Sequence, residues 1–390
     1  MDISDLIHRI DVDRIVRRTV ELVQLPSVNP FDGEGDDTTG ERAVAQWMTD
    51  HLERLGYETN VGDIAPDRPN VVGIGPGGDG PVLALVGHTD TVGVGGYDDP
   101  FSGTISGGRI HGRGTCDMKG ALAAFIEVAE VLHDAGKPLR GRLMIAGIAD
   151  EEHGMLGSRA LGVHGALADY AIVGEPTDLD VCIAHKGQYA FPVRTFGTAV
   201  HSSIADQGVN AIESMMEVVS AFSDYDRQLR ARPAHPLCGT ATANVGTIRG
   251  GELVSIVPDF CEIHVDRRVL PGESTVQIRR EISDLLESLA SQRTQVRWEL
   301  GDPFIDAGPL STPLEHPIVA ATLRAIRRRS PAAQPSSFPG ATDAPNLGIP
   351  AVIWGPGSLS LAHTTAESIA IDELVRAVHY YLDAVVTLIG

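Results

Sequence analysis

Residues 82–90 read VLALVGHTD, and residues 142–152 read RLMIAGIADEE. Each is an apolar run that breaks off into histidine or acid. A run without polar alternation suits a strand covered on both faces, as in sheets flanked by helices. The spacing predicts strands over VLALVG (82–87), RLMIAGIA (142–149) and YAIVG (170–174), with IPAVIWG (349–355) as a later one. A helix from about Met118 to Gly136 lies between the first two. Strand–helix–strand alternation of this kind predicts an α/β sheet with helices on both faces.

Working outward toward the N-terminus, Asp11 is a fair N-cap. Val12, Ile15, Val16, Val20 and Val23 then share one helical face until Pro26 stops it. A polar, Gly-rich loop, SVNPFDGEGDDTTG (27–40), precedes a second amphipathic helix. Its stripe is Val44, Trp47, Met48, Leu52 and Leu55, with Gly56 at its end.

Between 187 and 301 the texture changes. QYAFPVRTFG reads as a strand, and a long helix carries Ile212, Met215, Met216, Val219 and Phe222. ATANVGTI and FCEIHVDRRV are two further strands, the second strictly alternating. A helix over 274–290 and the strand TQVRWEL complete a β-α-β-β-α-β series, the ferredoxin-like arrangement. A segment with its own closed fold inside an α/β chain reads as an insert. The α/β texture then resumes with a helix over 313–329 and a closing helix over 372–389. The expected organisation is a discontinuous catalytic domain, 1–186 and 302–390, interrupted by a domain over 187–301.

Composition agrees. A chain of 390 residues holds about two domains at ~100–200 residues each. With 43% hydrophobic and 21% charged residues it is globular. Its 31 basic and 52 acidic residues give a formal charge of −21, which argues against nucleic acid or an anionic membrane as partner but not against metal cations. Arg327, Arg328 and Arg329 form the only basic run and read as a solvated helix end. No apolar run approaches the ~18 residues of a membrane span, and MDISDLIHRIDVDRIVRR lacks the apolar core of a secretory signal. Cys116, Cys182, Cys238 and Cys261 are scattered, which suits thiols in a reducing compartment. A cytoplasmic location is expected.

The chemistry collects at element ends. His88 and Asp90 follow VLALVG in GHTDTV; Asp117 sits at a loop-to-helix junction in GRGTCDMKG; Glu151 and Glu152 follow LMIAGIA in ADEEHG. Glu175 follows AIVG in GEPT, and His363 lies past AVIWG in AHTTAE. Open α/β sheets place ligands just beyond strand C-termini. Taken singly, Asp117 suits an N-cap and paired glutamates a solvated helix start; together they suit a metal site. Two histidines and several carboxylates with no evident cysteine ligand suit zinc, cobalt or manganese. A shared carboxylate can bridge two such ions ~3.5–4 Å apart, where they polarise a carbonyl and activate water. One carboxylate must stay off the metals as general base. Asp90 is placed to accept the imidazole proton of His88.

GHTDTV, GRGTCDMKG, ADEEHG, GEPT and GPGSLSLAHTTAE, in this order, resemble the M20 metallopeptidase family. That family includes acetylornithine deacetylase, succinyl-diaminopimelate desuccinylase, aminoacylase-1 and glutamate carboxypeptidase. The resemblance runs from about residue 20 to the C-terminus. It implies a zinc-exopeptidase-like catalytic domain with an inserted ferredoxin-like α+β lid and dimerisation domain. It further implies two divalent cations, zinc before cobalt or manganese. His88, Asp117 and Glu175 would hold one ion, and Asp117, Glu152 and His363 the other. Glu151 would be the general base and acid, Asp90 would orient His88, and the Asp117–Met118 peptide would be cis.

In the family, a histidine in a G-x-x-x-H-S-type segment of the lid enters the partner subunit's site and polarises the amide carbonyl; His201 in GTAVHSS matches it. Asn244 in NVGTIRGG and Arg268 in DRRVLPGE resemble substrate-binding positions. The alternation of CEIHVDRRV puts Arg268 on the polar face with His264 and Asp266, free to pair with a carboxylate. Gly340 and Thr342 in PGATDAPNL resemble the family's Gly-rich pocket loop. ELVSIVPD departs from the family, which often shows Asn before the VP of the lid strand.

The expected activity is hydrolysis of the amide of an N-acyl amino acid, with GPGS and GEPT leaning toward the deacetylase and desuccinylase branch. A metallocarboxypeptidase or dipeptidase is the alternative within the family. A metal-binding protein without catalysis is the alternative outside it, and the paired Glu151 and Glu152 speak against that, since a binder needs no spare base. A homodimer through 187–301 is implied by the resemblance.

Overall fold

The computed structural model describes residues 3–31, 38–163, 167–293 and 295–390. Residues 32–37 of the Gly-rich loop, and residue 294 at the start of TQVRWEL, lie outside the described residues. The chain divides into two compact units. The first comprises Met1–Ile183, Thr312–Phe338 and Thr342–Gly390; the second comprises Ala184–Ser311 and Pro339–Ala341.

In the first unit, four strands form a parallel core in the order Arg142–Ile148, Val82–His88, Tyr170–Pro176, Ala351–Gly355. The apolar runs expected to be strands are all in it, and Val82–His88 and Tyr170–Pro176 are buried at every position. Antiparallel strands flank the core: Arg68–Ile74 beside Arg142–Ile148, then Glu58–Ala65, and on the other side Cys182–His185. The sheet is therefore mixed.

The helix Gly120–Ala135 is buried along almost its whole length. It packs so closely that a Cβ on Gly87 would lie 2.8 Å from Leu122 Cδ2, and one on Gly174 2.7 Å from the Phe125 ring. Glycine at both strand positions is what lets this helix settle onto the sheet. The helix starts later than the sequence suggests. Residues Thr115–Lys119 form a wide turn containing a cis Asp117–Met118 bond, and Lys119, not Asp117, is the N-cap.

The apolar stripe of the first long helix is rotated from its expected position, whereas that of the second is where it was expected. In the helix Val12–Val23 the buried face is Ile15, Arg18, Thr19, Leu22 and Val23, while Val12 is 43% exposed. Arg18 belongs to that face because it pairs with Glu127 (2.7 Å) and with Glu130 on Gly120–Ala135; Arg14 binds Glu127 as well (2.6 Å). Asp11 caps this helix as expected, accepting from Arg14 N. The second helix, Arg42–Arg54, buries Val44, Met48 and Leu52.

The second unit contains the expected β-α-β-β-α-β series. Its antiparallel sheet runs Thr242–Gly250, Phe260–Val269, Gly187–Phe196, Arg297–Leu300. Phe260–Val269 alternates as predicted, with Cys261, Ile263 and Val265 buried against the helices Ala211–Ala231 and Thr275–Gln292. The stripe of Ala211–Ala231 passes through Met215, Val218, Phe222, Tyr225 and Leu229, which leaves Met216 64% exposed. All four cysteines are free thiols. Among the described residues no helix is long and apolar enough to cross a membrane.

Candidate metal centre

The parallel core points its C-terminal ends at one place. His88 ends its strand, Glu175 is the penultimate residue of Tyr170–Pro176, and Glu151 and Glu152 follow Ile148 closely. Asp117 comes from the Thr115–Lys119 turn, and His363 from the loop after Ala351–Gly355, in a left-handed conformation (φ 61°). Two groups of three form. Ligand atoms of His88, Asp117 and Glu175 lie within 4.8 Å of one another, and so do those of Asp117, Glu152 and His363. Asp117 belongs to both and gives each a different oxygen: Oδ1 is 3.0 Å from His88 Nε2, and Oδ2 is 3.2 Å from His363 Nε2. His363 Nε2 is also 3.1 Å from Glu152, and His88 Nε2 is 3.8 Å from Glu175.

At these spacings an imidazolium proton and a divalent cation satisfy the same atoms, and the acid–base properties show the strain of so many carboxylates. Burial raises Glu151, and the Glu175 charge adds to it; Glu175 is raised by its own burial and by Asp117. Burial and Asp117 likewise raise Glu152. Asp117 is the exception: burial opposes its charge, but hydrogen bonds from His363 and His88 hold it well below the usual carboxylate range. Hydrogen bonds to Asp117 and Glu152 push His363 up to about 10. Burial works against a proton on His88, yet Asp117 and Glu175 keep its pKa well above the ordinary value. Glu152 Oε1 and Glu175 Oε1 are buried without any hydrogen-bond partner. Carboxylate oxygens left bare beside two imidazoles fit a pair of borderline divalent cations. Glu151 belongs to neither group.

Asp90 differs from its expected role. His88 Nδ1 pairs with the Asp90 main-chain carbonyl at 2.9 Å, whereas the nearest Asp90 carboxylate oxygen is 3.7 Å away. The carboxylate instead accepts from the main-chain N–H of Glu151 and of Glu152, both at 3.1 Å. One residue thus fixes the His88 ring with its carbonyl and the Glu151–Glu152 turn with its side chain.

Behind it stands a set of residues not singled out from sequence. Asn29 Nδ2 bridges Asp90 (2.8 Å) and Asp150 (3.0 Å). Arg68 pairs with Asp150 at 2.8 Å and with Glu41. Asp150 itself (φ 73°) accepts from Leu156 N through its side chain and from Gly154 N and Met155 N through its carbonyl. Asp343 is a further buried carboxyl; it accepts from Ser158 Oγ, and burial raises it to about 7. Asp150 is the first acid of the quoted ADEEHG and Asp343 adjoins Thr342 in PGATDAPNL, so a place inside a quoted motif was the available signal.

Thr342 is buried, and its hydroxyl accepts from Ala344 N at the start of a short 3-10 turn. His201, Asn244, Arg268 and Gly340 belong to the second unit. There His201 is exposed and its Nδ1 lies 2.8 Å from Ser203 Oγ. Arg268 is not free on its face: its Nε donates to Asp266 at 3.1 Å, and Asn244 is the cross-strand neighbour of that Asp266. A same-face i, i+2 carboxylate is within reach of a guanidinium, which explains the difference.

A mixed α/β unit with two carboxylate–imidazole triads sharing one aspartate at its strand ends is the build of a metal-dependent amidohydrolase. The chain belongs to peptidase family M20/M25/M40, whose pattern matches residues 84–387. It is 33% identical over 371 residues to the acetylornithine deacetylase of Proteus mirabilis, covering 90% of each chain. Its fold is similar to that of aminopeptidase PepT from Bacillus cereus, with a TM-score of 0.80, 23% identity and coverage of 97% and 99%. It is also similar to the Bacillus subtilis YXEP protein, a dinuclear metal binding peptidase from the M20 family (TM-score 0.70, 18% identity, coverage 97% and 98%).

Proposed function

We propose that this chain is a deacylase that hydrolyses the amide of N-acyl amino acids with two divalent cations, zinc before cobalt or manganese. One observation carries the reading. Two ligand triads share Asp117 and one of them takes Glu152, while the neighbouring Glu151 stands outside both. In this proposal His88, Asp117 and Glu175 hold one ion, and Asp117, Glu152 and His363 the other. The cations supply Lewis acidity for the amide carbonyl and lower the pKa of water.

The chain's own residues do the rest. Glu151 takes a proton from the attacking water and returns it to the amine nitrogen as the C–N bond breaks. Burial and the Glu175 charge raise its pKa, the direction a group that must give a proton back requires. Asp90 keeps Glu151 in place through the main chain. His201 is assigned donation to the carbonyl oxygen, Arg268 and Asn244 the substrate carboxylate, and Gly340 and Thr342 the pocket wall. Residues 187–301 are assigned the lid and a homodimer contact, with 1–186 and 302–390 as the catalytic domain.

The similarity to an acetylornithine deacetylase supports an acyl group over a peptide. The test is a panel of N-acetyl, N-succinyl and N-carbamoyl amino acids beside di- and tripeptides, with zinc, cobalt or manganese supplied. Turnover of acylated amino acids at least tenfold above any peptide is expected. Turnover confined to peptides would replace the deacylase with a peptidase.

A further inference from the structure

The second triad is assembled from segments almost 250 residues apart, and something must hold Asp117 and His363 in register. A three-stranded sheet begins the job: Ser368–Ala370 pairs with Arg109–His111, which pairs with Thr104–Ser106. This docks the chain just past His363 against the chain just before Asp117. At that junction lies Glu367, whose side chain is fully buried.

Every contact of Glu367 reaches one side or the other of this junction. Its Oε1 accepts from the main-chain N–H of Cys116 (3.0 Å) and of Asp117 (3.2 Å). Its Oε2 accepts from Arg113 Nη1 at 2.6 Å. The same Arg113 nitrogen donates to the carbonyl of Thr364, the residue after His363, at 3.3 Å. The Glu367 carbonyl in turn accepts from Gly112 N (3.2 Å) and from Tyr97 Oη (2.8 Å). Burying a carboxylate is costly unless its lone pairs are met. Here they are met by the main-chain N–H groups of Cys116 and Asp117 and by an arginine that also binds the carbonyl of the residue after His363.

We propose that Glu367 is a positioning residue that, with Arg113, locks Asp117 and His363 into a single cation site. It touches neither substrate nor cation. The first triad has only the shared Asp117 tied to this link, since His88 and Glu175 sit at the ends of core strands. The second has both Asp117 and His363 tied to it, so the second cation should lose more. Groups that orient metal ligands typically contribute 10–100-fold to affinity. This inference rests on the two-cation reading above, and the experiment separates the two.

Zinc is titrated into metal-free full-length protein against a competing chelating dye, alongside the Tm of each metal-free variant. Wild type should bind two zinc ions per chain. Glu367→Gln keeps an oxygen for the Cys116 and Asp117 amides but sets an NH2 against Arg113. It should weaken the second ion about 10–100-fold and the first, which shares only Asp117 with the link, by clearly less. Arg113→Lys keeps the charge but ends short of the position from which Arg113 Nη1 meets both Glu367 and Thr364, and should show the same unequal loss. It serves where Glu367→Gln does not fold. Two zinc ions held as tightly as in wild type, with only Tm lowered, would overturn the positioning role. Equal weakening of both ions would overturn it too. Wild type binding fewer than two ions would instead overturn the two-cation reading, and this inference with it.

Discussion

Replacing Asp343 by Asn should make the metal-free protein more stable at pH 8 and change it little near pH 4. Asp343 is 1% exposed, accepts from Ser158 Oγ, and faces the charges of Asp90 and Asp150; burial is the larger effect, and together they raise it from 3.8 to about 7. The folded protein therefore holds this proton more tightly than the unfolded chain does. Stability is full below about pH 4 and is lost as pH rises through about 7. At ~1.4 kcal/mol per pH unit over about three units, the loss is about 4 kcal/mol. An amide cannot ionise, and its oxygen can still accept from Ser158, whose own hydroxyl oxygen accepts from Asn346 Nδ2 at 2.9 Å. Urea unfolding in the presence of a chelator, from pH 4 to 8, should show wild type falling by about 4 kcal/mol relative to the Asn variant. Saturating zinc should shrink the gap, because nearby positive charge favours the carboxylate. Parallel pH curves for the two proteins would refute the reasoning.

Further outcomes follow from the same geometry. Glu151→Gln should cut amide turnover by about 10²–10⁴-fold with metal content unchanged, whereas Glu152→Gln should lose metal as well; metal analysis beside the rate separates them. Glu127→Ala leaves the buried Arg18 short of a partner and should cost about 3–5 kcal/mol in urea unfolding. Chelation should lower Tm more at pH 8 than at pH 6, since burial raises the pKa of Glu151, Glu152 and Glu175 and their ionisation in the folded state is what the cations offset.

The parallel core and His88, Glu151, Glu152 and Glu175 were legible because their signals are local: an apolar run followed within a few residues by an acid or histidine. Asp117 and His363 lie in a turn and a loop and were legible through the motifs GRGTCDMKG and AHTTAE. The Glu58–Ala65 strand carried no such signal. It lies at the sheet edge with most residues exposed, so no stripe marks it. Helix faces were legible only to within a rotation. Arg18 is buried because Glu127 and Glu130 wait for it more than 100 residues away, and charge hid its position. Asp90 shows a finer limit. Two residues from His88, both its carbonyl and its carboxylate are within reach, and the fold chose the carbonyl because the Glu151 and Glu152 amides claimed the carboxylate. Asn29, Arg68 and Glu367 were silent because the partners that tie each to the site are distant in sequence.

The central claim concerns the triads themselves, and anomalous diffraction at the zinc edge from zinc-soaked crystals tests it most directly. Two peaks about 3.5–4 Å apart are predicted, one among His88, Asp117 and Glu175 and the other among Asp117, Glu152 and His363, with Glu151 bound to neither. A single peak, or peaks at which Asp117 is not the shared ligand, would contradict the account.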